Sequence, residues 1–207
     1  MILYNFATAP NGLRVNIFVR EKGLTIPTKN VNLLKLENHS EEIQALNPAG
    51  TVPFLKLDNI VITESMAICR YLEARYPDVP MFGIEPEEQG IIEAIRRRVE
   101  FEGLLMVSDQ LRNSSPFFKD RALPGKKGVP QIAELAERGA KQVNKFLEWV
   151  DEHLSNNEYM AGDKFSIADI DTYVTIDTMK MIKVYPDQQN ITQWMTRMQQ
   201  RPAFNKD

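Results

Sequence analysis

The 207-residue chain holds one cysteine and two histidines, and each scarcity closes off a class of protein. A lone Cys69 cannot form an internal disulfide, which excludes the cross-linked framework of a small secreted domain. Cys69, His39 and His153 lie far apart and match no metal-ligand spacing, so no metal is expected. No signal peptide and no run of 18 apolar residues is present, so neither export nor a membrane span is expected. An excess of positive charge is also missing. Twenty-five basic residues against 28 acidic ones leave a formal net charge of -3, and nothing recruits nucleic acid or an anionic membrane. The basic run Arg96-Arg97-Arg98 is flanked by Glu93, Glu100 and Glu102 and reads as a solvated or interface helix face. These absences leave a reduced, cytoplasmic chain of ordinary globular composition, long enough for one large domain or two small ones.

The order of elements argues for two. Ile2 to Phe6 reads as a strand, and Thr8 to Gly12 breaks it before a helix carrying Leu13, Val15, Ile17, Phe18 and Val19, with Gly23 as its stop. Lys29 to Leu33 reads as a second strand. Leu36 to Leu46 reads as a helix with Asn38 and Ser40 as possible caps. Pro53 to Leu57 and Ile60 to Ile62 form a hairpin about Asp58-Asn59, and an amphipathic helix follows. A β-α-β unit followed by β-β-α is an α/β layer arrangement. Helix breakers crowd Tyr76 to Glu88, and beyond them no strand pattern recurs. Residues 1–78 are therefore expected to form an α/β domain, 79–87 a linker and 88–207 an all-helical domain. Long helices are expected over Gln89 to Arg112 and Gln131 to Leu154, with Phe117 to Pro130 a mobile loop at the mouth of the site. Ser166 and Asp169 have the spacing of a capping box, and Phe165 and Ile170 stand at its staple positions.

Asn47 to Leu72 organises the rest. Val52 precedes Pro53 and is pushed toward extended geometry, where its backbone can pair with a short peptide as an added strand. Glu64 and Ser65 stand where a strand hands over to a helix N-terminus, which suits a ligand carboxylate. A small extended peptide with a terminal amino acid would bridge the two.

The run N-P-x-G-x-V-P-x-L, then T-E-S-x-A-I-x-x-Y-L, resembles the glutathione-binding half of cytosolic glutathione transferases, with theta-like and nu-like features. The closing pattern around Trp194 and Arg201 to Phe204 extends the resemblance over nearly the whole chain. It implies a thioredoxin-like first domain and an all-helical second one, which the family joins into a homodimer through the helices beginning at Glu64 and Gln89. It implies further that the Val52 backbone pairs with the cysteinyl residue of glutathione, that Pro53 is cis, and that Glu64 and Ser65 hold the γ-glutamyl group. His39 matches a histidine that theta-like members aim at the glycyl carboxylate. Glutathione would be a co-substrate and no cofactor is implied. The partner would be a small electrophile or a disulfide. Alternatives on the same fold are a glutathione-dependent disulfide reductase or peroxidase, an isomerase, and a non-catalytic adaptor.

Conjugation needs an ionised thiol, and lowering a cysteine thiol by about two units takes roughly 2.7 kcal/mol. One charge-assisted hydrogen bond plus a helix N-terminus, about 1.5–3 and about 0.3–1 kcal/mol, covers this without a general base. The loop after the first strand holds no tyrosine, serine or cysteine at the usual activating positions. Thr8, where theta-like members carry serine, and Asn11 are the candidate donors, set against a plain strand end and helix cap. Tyr4 is a weaker third, and Thr51 could line the cleft. Cys69 reads as core. Phe101, Leu105, Met106, Phe117 and Phe118 are candidates for the electrophile pocket, with core or dimer contacts the commoner role of such residues.

Overall fold

The computed structural model describes residues 1–205. The chain divides into two compact units, one of Met1–Val79 with Asp120–Pro130, the other of Pro80–Lys119 and the residues from Gln131 onward.

In the first unit, strand β1 (Ile2–Asn5) lies between β2 (Thr28–Asn30) and β3 (Phe54–Lys56), and β4 (Val61–Thr63) pairs with β3. The β1–β2 pair is parallel, because helix α1 (Pro10–Glu21) crosses between them; the other two pairs are antiparallel. Leu3 faces Leu55, which in turn faces Ile62. Helix α1 starts with Pro10 in its first turn, where a missing N–H costs nothing. It ends at Gly23, whose φ of 64° lets Gly23 and Leu24 donate back to the carbonyls of Arg20 and Val19.

The expected second strand and helix are both shorter than their sequence patterns. Asn32 accepts from the N–H groups of Leu34 and Lys35, which turns the chain into a 3-10 segment at Leu33. Leu36 then adopts φ 57°, so helix α2 covers only Glu41–Leu46, with Ser40 as its cap. Asn38 is no cap; its amide donates to the Gly50 carbonyl. The last helix of this part, α3 (Ser65–Arg75), packs on α1. Four strands flanked by these helices give the thioredoxin-like layout expected from the sequence.

The second unit is helical, as expected. Its first long helix is continuous but not uniform: α4 (Pro86–Arg98) passes through a π-helical stretch, Val99–Leu104, into α5 (Leu105–Ser114). Helices α6 (Ala133–Leu154), α7 (Ile167–Met179) and α8 (Gln189–Gln199) complete it. All of α7 except Asp177 is buried, so its polar groups need internal partners. Thr172, Thr175 and Thr178 each donate to the carbonyl one turn back, at 2.8, 2.8 and 2.6 Å. Asp169 takes four donors: the Met160 and Ser166 N–H groups at 2.9 Å, the Trp194 indole at 3.1 Å and the Ser166 hydroxyl at 3.3 Å. Burial pushes its carboxyl up to about 6, which still leaves it ionised at neutral pH to accept all four. Ser166 Oγ in turn accepts from the Ala168 N–H, completing the cap foreseen from the spacing.

Replacing Ser166 by Ala is expected to cost about 1 kcal/mol, the usual loss for a helix cap. Replacing Asp169 by Ala is expected to cost several times that, since each buried donor left unpaired adds about 1–3 kcal/mol. Urea unfolding followed by tryptophan fluorescence measures both; equal losses would mean that Asp169 acts only as a cap.

Candidate functional site

The site is built where β1 hands over to α1. Asn5 is 2% exposed and its amide donates to the Gly12 carbonyl at 3.2 Å and to Asn16 at 2.8 Å, while its oxygen accepts from the Phe6 N–H. A Cβ on Gly12 would stand 2.2 Å from the Phe6 carbonyl and 2.5 Å from Asn5 Oδ1. Only glycine lets helix and strand meet this closely. The intervening loop is thus pinned at both ends. It carries Thr8, exposed and without a side-chain partner among the described residues, and Asn11, half-buried in the first turn of α1. Asn11 does not cap the helix, since Ala9 holds that position.

Asn11 instead joins two residues that converge from different elements. Arg14, one helical turn on and 4% exposed, donates through Nη1 to Asn11 Oδ1 and, at 2.8 Å, to Ser65 Oγ at the start of α3. Ser65 Oγ lies 3.3 Å from the same Asn11 oxygen. Sequence reasoning missed Arg14; the signal was a guanidinium among Leu13, Val15 and Ile17 on the buried face of the helix, which demands internal acceptors. Glu64, just before Ser65, holds φ 67° and ψ 123°, a region costing about 1–3 kcal/mol for a residue with a side chain. Its side chain does not cap α3, so the helix presents its first N–H groups to a ligand.

Val52 and Pro53 come to the same place through the sheet. Phe54 pairs with Thr63, so their neighbours Pro53 and Glu64 are brought side by side. The Val52–Pro53 peptide bond is cis, and among the described residues the Val52 backbone makes no hydrogen bond. Asn47, 2% exposed, fixes the turn before it by donating to the Thr51 carbonyl and accepting from the Ala49 N–H. Thr51 Oγ1 takes a second bond from Asn47, which makes Thr51 part of this turn.

His39 stands beyond Gly50, whose Cβ position is 3.7 Å from its ring. The segment expected to be a mobile loop is folded against the same turn: a Cβ on Gly125 would lie 2.2 Å from the Ala49 carbonyl and 3.0 Å from Thr51 Cγ2. Partial burial holds the His39 imidazole below its ordinary value, and the charges of Lys127 and Arg121 on that segment push the same way. One sequence candidate, Tyr4, lies elsewhere, and Cys69 is in the core as expected. Tyr4 stacks on Phe54 at 4.6 Å in the core and cannot serve a ligand, because strand alternation turns it inward. Cys69 is fully buried. In the second unit Phe101, Leu105 and Phe117 are exposed rather than core, while Met106 and Phe118 are half-buried.

An unpaired backbone position at Val52 and an uncapped helix start at Ser65 suit an extended peptide that carries a carboxylate. The fold is thioredoxin-like in its first unit and all-helical in its second. Family models agree: that for the N-terminal domain of glutathione S-transferases matches residues 3–80, and that for the C-terminal domain matches residues 110–202. Glutathione S-transferase 2 of Saccharomyces cerevisiae is 32% identical over 100% of this chain and 88% of its own length. The crystal structure of Gtt2 from the same yeast superposes with a TM-score of 0.89 at 31% identity, covering 99% of this chain and 98% of that one. A class Gtt2 glutathione S-transferase of Vibrio parahaemolyticus gives 0.83 at 31% identity, over 100% and 96% of the two chains. The chain belongs to the glutathione S-transferase family, and it is a transferase.

Because partial burial and, to a smaller extent, the charges of Lys127 and Arg121 disfavour its charged form, the His39 imidazole is expected to titrate below the free-histidine value of about 6.5. Lys127→Ala is expected to bring it back upward. Ring-proton NMR across pH 5 to 8 reads both; a titration that Lys127→Ala leaves unmoved would place the 120–130 segment away from His39.

Proposed function

We propose that the chain binds reduced glutathione along Val52 and Pro53 and transfers its sulfur to a small electrophile or a disulfide. Ser65 and the first N–H groups of α3 receive the γ-glutamyl carboxylate, Glu64 accepts from the γ-glutamyl amino group, the Val52 backbone pairs with the cysteinyl residue, and His39 attends the glycyl carboxylate. Thr8 and Asn11 donate to the thiolate, whose lone pair then forms the new bond, either to carbon as the electrophile's leaving group departs with its bonding pair, or to sulfur as the S–S bond of the disulfide breaks and its other sulfur leaves as a thiolate. The observation that carries this reading is the unpaired Val52 backbone beside the uncapped start of α3, with Asn11 touching Ser65. The same reading places the chain in the cytoplasm; its single cysteine is buried, and among the described residues no helix is long and apolar enough to cross a membrane.

Calorimetry with glutathione tests the binding. Ser65→Ala is expected to lose a hydrogen bond to a charged group, about 1.5–3 kcal/mol, or roughly ten- to a hundredfold in affinity. No binding at millimolar glutathione would refute the proposed site. Thr8→Val and Asn11→Ala are expected to raise the titration of the bound thiol, followed by thiolate absorbance, while leaving affinity nearly unchanged, because that contact strengthens only when sulfur is charged. A titration that neither change moves would remove both residues from the chemistry.

The same reading includes a homodimer through the faces of α3 and α4, where Arg97, Arg98, Glu100 and Glu102 offer mixed charge. Light scattering is expected to give twice the 23.8 kDa chain mass. A monomer at every concentration would contradict it.

A further inference from the structure

We infer that Arg14 is a positioning residue for sulfur activation: it fixes which way the Asn11 amide faces and strengthens that amide as a donor. The inference rests on the proposal that Asn11 donates to the glutathione thiolate. A guanidinium has five donors and no acceptor, so only the oxygen of Asn11 can face Arg14. The NH2 group must then point away from the Arg14–Ser65 side. The opposite rotation would set that NH2 group against the donors of a guanidinium that is 4% exposed.

The second effect is electronic. Donation by a charged group to an amide oxygen draws density from the nitrogen through the amide resonance, and linked hydrogen bonds polarise one another. The NH2 of Asn11 is accordingly a better donor to an anion than the side chain of a solvated asparagine.

Ser65 makes the arrangement responsive to ligand. Its hydroxyl has one proton, which goes to Asn11 Oδ1 in the ligand-free chain, while its oxygen accepts from Arg14. A γ-glutamyl carboxylate at the start of α3 competes for that proton. Once the hydroxyl turns to the ligand, Arg14 is left as the donor to Asn11 and holds both ends of the site. Glutathione binding at one end thus leaves the amide at the other end in place.

The test is a double-mutant cycle on the thiol titration of bound glutathione. Arg14→Met and Asn11→Ala are each expected to raise the midpoint by about one pH unit, the scale of one charge-assisted hydrogen bond. Together they are expected to raise it no further than either alone. Arg14→Lys, which keeps a charged donor, is expected to recover part of the shift. Additive shifts would mean that Arg14 acts on sulfur without Asn11, and the inference falls. A shift in Asn11→Ala with none in Arg14→Met also overturns it, whereas glutathione that fails to bind the unmodified chain overturns the proposed function instead. Should Arg14→Met fail to fold, the side-chain amide resonance of Asn11, assigned by its loss in Asn11→Ala, is followed in the unmodified chain. It is expected to move as the bound thiol ionises, and a stationary resonance refutes the inference.

Discussion

A guanidinium carried into a protein interior must find oxygen, and the first unit is arranged around one that does. Arg14 sits on the face of α1 that also buries Val15, Ile17 and Phe18. Its acceptors come from the start of its own helix and the start of α3, 51 residues later. Moving either helix would break a hydrogen bond made by a buried charge, which costs more than a bond between neutral groups. The relative placement of Asn11 and Ser65 follows from that demand. The close contact between Gly12 and the Phe6 carbonyl then places both against the end of β1.

The second unit solves a related problem without a ligand in view. An almost wholly buried α7 contains Asp169, Asp171 and three threonines that bond back along the helix. The Asp171 carboxylate lies 3.6 Å from Arg96, itself 6% exposed, and Arg96 also holds Glu93 and Glu100. Polar groups here are matched one to another, so this helix contributes position as much as burial.

Much of this was legible in the residues. The change from strand-and-helix alternation to helix alone marked two architectures, and the order N-P-x-G-x-V-P-x-L then T-E-S marked a hairpin followed by a helix start. Ser166 and Asp169 announced a cap through spacing alone. What stayed hidden depends on contacts between distant parts of the chain. The apolar positions of Leu36, Ile43 and Leu46 gave no warning that Leu36 would turn left-handed and shorten the helix to six residues. Arg14 looked like an ordinary helix residue because its acceptor Ser65 is far away in sequence. Nor could a stretch rich in proline, glycine and lysine disclose that Gly125 fits against Ala49 and Gly50, a matter of backbone shape that no periodicity records.

That last contact bears on how the protein is made. Ala122 is buried, and the N–H groups of Ala122 and Val129 close the segment on the carbonyls of Val129 and Asp120. The first unit therefore includes chain that emerges from the ribosome only after α4, the π-helical stretch and α5 of the second have been synthesised. Residues 1–79 can form their sheet during translation. The wall behind His39 and Gly50 is assembled only when residue 130 is free, so the nascent sheet spends that interval with this turn uncovered.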